Sequence, residues 1–221
     1  MLYRKMPGMD ENLSILGFGC MRLPVTSEGN IDEPVATKIL RYAIDHGVNY
    51  IDTAWTYHNE ESEPFVGRAL AGGYREKIFL ATKLPSWLVE KPEDMDMFLN
   101  RQLQRLQTDH IDFYLIHSLN KERWENVVRH DVFSFLERAL ADGRIRYAGF
   151  SFHGDYELFE EILNAWKWDF CQIQYNYLDE NYQAGTKGLK EAASRGLGVV
   201  VMEPLRGGKL ALNVPAPIQN I

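Results

Sequence analysis

The chain has 221 residues, 45% hydrophobic and 25% charged, and a net charge of −7. That is enough for one large domain or two small ones. The acidic balance without a basic block argues against a nucleic-acid partner. No apolar run approaches a membrane span, and the start "MLYRKMPGMDEN" lacks the apolar stretch of a signal peptide, so the cytoplasm is the expected compartment. Cys20 and Cys171 stand far apart, with no CxxC neighbour and no His at ligand spacing. Neither a zinc site nor a disulfide framework is expected from them.

In chain order, "LSILGFGC" (13–20) reads as a short apolar strand. Residues 33–47 carry Val35, Ile39, Leu40, Ala43 and Ile44 at helical spacing and stop at Gly47. "VNYIDTA" (48–54) is a strand, and 62–73 a helix with Pro in its first turn and a double-Gly stop. "KIFLATKL" (77–84) is a strand; 91–107 is a helix opening on Pro and two acids. "HIDFYLIHS" (110–118) is a strand, 125–143 contains a helix ending at Gly143, and "IRYAGFSF" (145–152) is a strand. Residues 155–167 form a helix capped by Asp155, "DFCQIQYN" (169–176) a strand, 186–196 a helix and "LGVVVMEPL" (197–205) a strand. The tail "NVPAPIQNI" has two prolines and little periodicity.

Seven strand signals separated by six helices imply βαβ units and a parallel sheet. An open doubly wound sheet and a (β/α)8 TIM barrel both fit. "GFGCMR" supplies two of the three glycines of a dinucleotide fingerprint and leads into a loop, not a helix.

Folds of this kind carry their chemistry at the carboxyl ends of the strands. Asp52 ends the second strand, with Tyr57 in the loop beyond; Lys83 lies near the end of the third, His117 at the end of the fourth, Ser151 at the end of the fifth, and Gln172 on the sixth. Singly, each has a bland reading: a turn-capping acid, a loop aromatic, a solvated lysine, a packed imidazole, a cap and a buried amide. Together they form a definite set. A phenol holds its proton at neutral pH and can donate it, and an ammonium ~4 Å away, at an effective dielectric of ~20, favours the phenolate by roughly 4 kcal/mol. Lys83 is therefore expected to draw the Tyr57 phenol toward its working range, with Asp52 as the counter-charge a buried ammonium requires. His117, neutral, would orient a carbonyl oxygen. A site with a proton donor, no metal ligands and no Ser or Cys nucleophile suits carbonyl reduction, with hydride from a nicotinamide cofactor.

"IDTAWTYHNEE", "FLATKL" and "DFYLIHS" resemble, in order and spacing, the D-T-A-x-x-Y-G-N-E segment, the T-K strand and the D-L-Y-L-I-H strand of the aldo-keto reductase family. The resemblance runs from about Leu13 to Leu210. It implies a (β/α)8 barrel, an NADPH-dependent oxidoreductase reducing an aldehyde or ketone, and a catalytic tetrad of Asp52, Tyr57, Lys83 and His117, with Tyr57 as general acid. It also implies cofactor contacts from Cys20, Met21, Asp52, Ser151, Gln172, Met202, Leu205, Arg206 and Gly208. Phe152 stands where the family usually has Asn, and Met202 where it often has a stacking Tyr. The cofactor implied is NADP(H), with NAD(H) the alternative. "GFSFHG" and "MEPLRGGKL" look like a branch whose members often continue into an iron–sulfur segment; no such cysteine cluster, and so no metal or iron–sulfur centre, is expected in this chain.

The chain is read as a single barrel domain over 1–221 in which the eighth strand, the last helices and the late adenosine-binding loop are missing. That is expected of a truncated or proteolysed product, a fragment gene, or a chain whose gap a second chain covers; self-association through the unpaired barrel edges is a further expectation. Two rival readings are a non-catalytic nicotinamide-binding or regulatory member, or inert remnant, and a hydrolase or lyase using Lys83 as a Schiff base. The partner expected is a small carbonyl substrate, with no nucleic acid and no membrane.

Overall fold

The computed structural model describes residues 1–212 and 214–219. Its elements in chain order are β1 (Tyr3–Lys5), β2 (Asn12–Ser14), β3 (Phe18–Gly19), α1 (Glu33–Asp45), β4 (Tyr50–Asp52), α2 (Ser62–Ala69), β5 (Phe79–Leu84), α3 (Pro92–Leu106) and β6 (Ile111–Leu119). There follow α4 (Lys121–Arg129), α5 (Val132–Ala141), β7 (Ile145–Phe152), α6 (Tyr156–Ala165), β8 (Phe170–Gln174), α7 (Gly185–Ser194), β9 (Gly198–Met202), α8 (Lys209–Leu212) and α9 (Ala216–Gln219). The prolines of the tail thus flank and enter a short helix; Asn213, Asn220 and Ile221 lie outside the described residues.

Local chemistry starts the helices where the chain leaves each strand. Asp32 accepts a hydrogen bond from the Val35 amide (3.3 Å), Asn120 from the Arg123 amide (3.0 Å) and Asp155 from the Leu158 amide (3.0 Å). Each satisfies one of the amides a helix start leaves free.

Strands β3 to β9 form one parallel sheet in strict sequence order. A doubly wound sheet reverses strand order at a switch point; this one never does. It curls into an open barrel with helices outside, and β3 and β9 are its edges among the described residues. Strand alternation makes two cores. Leu80, Tyr114, Ile116, Phe150 and Phe152 pack outward against the helices, whereas Tyr50, Ala81, Phe113, Leu115 and Phe170 pack inward.

Two sequence expectations need correction. Residues 13–20 are not one strand: Asn12–Ser14 pairs antiparallel with Tyr3–Lys5, and the barrel strand begins only at Phe18. The hairpin is held by Asn49, whose side chain accepts from the Ser14 amide (2.7 Å). It sets Met9 and Leu13 into the inner core, closing the barrel at the amino ends of the strands. Residues 125–143 hold parts of two helices, because Asp131 takes left-handed backbone (φ 61°) between α4 and α5. Among the described residues no helix is long and apolar enough to cross a membrane.

Candidate active site

The same alternation that builds the inner core aims the site. Asp52 lies two residues beyond Tyr50, Lys83 two beyond Ala81, His117 two beyond Leu115 and Gln172 two beyond Phe170, each following an inner-core residue on its own strand. Ser151 and Met202 lie two residues beyond Gly149 and Val200 in the same way. A period of two therefore places all six side chains on the concave face, above the apolar floor, at the carboxyl ends of the strands. The β6–β7 register slips between Ile116 and Leu119, and Ser118 turns left-handed (φ 57°) just after His117.

Tyr57 reaches this face from the loop after β4. Three consecutive residues, His58, Asn59 and Glu60, have φ of 51°, 54° and 71°. Left-handed backbone costs a non-glycine residue of order 1–2 kcal/mol, so something must hold the turn. His58 does part of that: its Nε2 accepts from the Leu23 amide at 3.0 Å, joining the turn to the segment after β3. Ser62 does more, its hydroxyl lying 2.8 Å from Thr53 Oγ1 and donating to the Cys20 carbonyl at 3.2 Å.

Lys83 is the hub. Fully buried, its Nζ donates to Asp52 Oδ1 (2.7 Å), the Thr53 carbonyl (2.8 Å) and the Tyr57 hydroxyl (3.3 Å). Burial alone would lower the amine's pKa; the Asp52 and Tyr57 interactions outweigh it and hold the amine above its usual value, as an ammonium. Gln172 donates to the other Asp52 oxygen at 3.1 Å. The His117 and Tyr57 rings meet edge to face at 6.0 Å. Burial, and then the Lys83 charge, push His117 well below the usual imidazole range, so it is neutral at pH 7. Among the described residues its buried Nδ1 has no hydrogen-bond partner.

The expectation for the Tyr57 phenol needs correction. Lys83 lowers its pKa, but burial raises it more, and the Asp52 carboxylate adds to the rise. The carboxylate that makes a buried ammonium affordable also opposes a phenolate. Tyr57 therefore rests firmly protonated, with the Lys83 ammonium acting against that rise.

The other expected residues divide. The Ser151 hydroxyl accepts from the Ser118 amide at 2.6 Å. Phe152 points outward onto Phe150 and Phe159, so the aromatic that replaces the family's Asn serves the outer core. Cys20 is fully buried and its thiol pKa is raised far by desolvation; Met21 is exposed and Met202 half-buried. Leu205 to Gly208 form a turn closed by the Gly208 amide on the Leu205 carbonyl (3.0 Å). Arg206 Nε donates to Asp179 Oδ2 at 2.8 Å, so a phosphate would have to compete with that carboxylate.

Sequence reading did not anticipate the Thr53 carbonyl or Arg123. Of the two tryptophans in the site loops, Trp55 is buried in the outer core against Phe98, while Trp87 packs on His117 with ring centroids 5.2 Å apart. Among the described residues no group of three or more His, Cys, Asp or Glu side chains could hold a metal. A surface cleft of about 1090 Å³ lies at the other end of β5 and β6. Its Arg75 and Arg146 share the one buried carboxylate of Asp112, and the cleft lies at the opposite strand ends from the groups just described.

A sequence-ordered parallel α/β barrel sheet, with an acid, an amine, a phenol and an imidazole at its strand ends, defines an α/β barrel protein with its site at the carboxyl rim. The model of the Aldo/keto reductase family matches residues 15–217, and the chain belongs to that family. It is 29% identical over 180 residues to the glyoxal reductase of Bacillus subtilis, covering 80% of this chain and 61% of that one. The aldo-keto reductase AKR11C1 from Bacillus halodurans, in its holo form, superposes with a TM-score of 0.81 at 30% identity, over 98% of this chain and 71% of that one. An aldo-keto reductase from Klebsiella pneumoniae in complex with NADPH gives 0.74 at 25% identity, over 93% and 69%. The chain spans about half the length of the curated relatives it matches.

Proposed function

We propose that residues 1–221 act as one barrel domain that reduces an aldehyde or ketone to an alcohol with NADPH, with Tyr57 as proton donor. The observation that carries this is the single buried ammonium of Lys83, bonded at once to Asp52 and to the Tyr57 hydroxyl. Because the Tyr57 oxygen accepts from Lys83, its own proton is free for a third partner. A carbonyl oxygen placed between that hydroxyl and the neutral His117 receives a hydrogen bond in the ground state and the proton as charge builds on it. The ammonium then holds the phenolate, and Asp52 keeps the ammonium charged. In the oxidative direction the phenolate is the base.

The surrounding residues fit a nicotinamide. The Ser151 hydroxyl and the Gln172 amide have the chemistry to pair with a carboxamide, and the half-buried Met202 thioether offers a polarisable surface for a ring. When bound, the cofactor supplies the hydride. A protein of this family similar to an NADPH complex supports NADP(H), and similarity to a glyoxal reductase supports a small carbonyl substrate.

Tyr57→Phe keeps the ring and removes the donor. It is expected to lower kcat with an aromatic aldehyde by at least ~10²-fold, while NADPH affinity from a fluorescence titration stays within about twofold. Undiminished turnover would overturn the assignment.

A further inference from the structure

We infer that Arg123 and Trp87 form an anion-binding subsite at the mouth of this site, and that the carbonyl substrate carries a carboxylate. The inference rests on the reductase reading above and narrows its substrate class.

Trp87 sits on the turn after β5 and Arg123 in the first turn of α4. The two segments are tied together: Asn126 Nδ2 donates to the Ser86 and Val89 carbonyls at 3.1 and 2.9 Å, and the Ser86 hydroxyl donates to the His117 carbonyl at 2.7 Å. The result is a fixed series of His117, Trp87 and Arg123. The imidazole and indole are 5.2 Å apart, and the guanidinium carbon lies 4.6 Å from the indole centre. Trp87 and Arg123 are both half-buried, as residues at a rim are.

The guanidinium is incompletely used. Nη1 donates to the Ser118 carbonyl (3.0 Å) and the Ser118 hydroxyl (2.6 Å), which fixes its orientation. Among the described residues Nε and Nη2 donate to nothing, and no carboxylate lies within ion-pair distance. Arg206, another arginine near this rim, is by contrast bound to Asp179. Deeper in the site the Lys83 charge is matched by Asp52 and His117 is neutral. Arg123 is thus an oriented cation with one planar edge of donors open, separated from the proposed proton donor by the Trp87 and His117 rings. That edge suits a carboxylate held by two parallel hydrogen bonds. The indole between imidazole and guanidinium sets the rest of the ligand. A carbonyl group at Tyr57 and His117 and a carboxylate at Arg123 must be joined by a flat or flexible apolar spacer that lies along Trp87.

The test compares 4-carboxybenzaldehyde with 4-methylbenzaldehyde in the wild-type chain and in Arg123→Met. The ratio of their kcat/KM values is expected to fall about 10- to 100-fold in the variant, the range of a hydrogen bond to a charged group, mainly through KM. Arg123→Lys should restore part of it, because charge returns without the fork. If Arg123 only braces the Ser118 turn, both aldehydes lose equally, the ratio does not move, and the inference is overturned. A second readout needs no turnover: quenching of tryptophan fluorescence by 4-(hydroxymethyl)benzoate. It should saturate in the wild type, weaken at least tenfold in Arg123→Met, and lose its signal in Trp87→Phe. Equal affinity in wild type and Arg123→Met overturns the inference. If neither aldehyde is reduced, the reductase reading fails while this titration still decides the anion site.

Discussion

Lys83 shows how much one side chain can settle. Its three ammonium protons go to Asp52, the Thr53 carbonyl and Tyr57, so no lone pair is presented to a carbonyl carbon and a Schiff-base role finds no support in the geometry. His117 has a consequence for stability. A free imidazole titrates near about 6.5, and the folded protein holds His117 well below that. Below about pH 6.5 the unfolded chain takes up a proton that the folded chain refuses, so stability falls as pH drops from there toward the depressed folded value. Above about 6.5 the residue adds no pH dependence. The slope from this residue approaches ~1.4 kcal/mol per pH unit, and His117→Gln should reduce the measured slope by about that much, leaving the part due to His58 and His153, which burial also holds low; urea unfolding at pH 7.5, 6.0 and 5.0 measures both. Asp52, Lys83 and His117 were legible in the sequence because an acid, an amine and an imidazole at successive strand ends stand out against apolar strands. The Tyr57 turn was not. Nothing in His58, Asn59 and Glu60 announces three left-handed residues, which are held by contacts with residues 20 to 23 that only the fold creates.

At the scale of elements, α2 and α3 brace the outer face of β5 with a buried polar network. Glu63 accepts from Thr82 and from Gln102, both at 2.6 Å, and Gln102 also donates to the Lys83 carbonyl at 2.9 Å. Burial raises the Glu63 pKa, and the Thr82, Gln102 and Arg105 interactions act against that rise. The network requires the two helices to touch, and Gly67 allows it: a Cβ there would stand 2.5 Å from the Arg105 carbonyl oxygen. Gly67→Ala should therefore part the helices and destabilise the protein by about 1–3 kcal/mol, read as a lowered melting temperature; an unchanged melt would mean the pair can slide at no cost. Element types were readable because the parallel strands are short apolar runs between capped, periodic helices. The two errors have physical causes. Residues 13 to 20 are apolar but for Ser14, and Asn49 captures that serine for the hairpin before the barrel strand starts. Residues 125 to 143 keep helical periodicity across Asp131, whose backbone alone breaks the run.

For the molecule as a whole, the hairpin β1–β2 does what no barrel strand can: it closes the inner core from below. Met9 and Leu13 lie among Tyr50, Phe113, Leu115 and Phe170, and the Tyr147 hydroxyl donates to Glu11 at 2.5 Å. Leu13→Asp would put an unpaired charge in that core, at a cost of several kcal/mol. The expected result is release of residues 1–14 to protease at concentrations that leave the wild type intact, together with an earlier urea midpoint. A hairpin equally resistant in the variant would show that its own pairing, not the inner core, holds it down.

The same arrangement bears on how the chain is made. Met9 and Leu13 leave the ribosome well before the strands they pack against, and the surface that receives them is unfinished until Phe170 has been added. At about 5–20 residues per second, that interval is roughly 10 to 30 s, during which a greasy leading segment travels without its berth. Any factor that shields nascent apolar chain would find its substrate in the hairpin segment, and the docking of that segment marks the moment the inner core gains its floor.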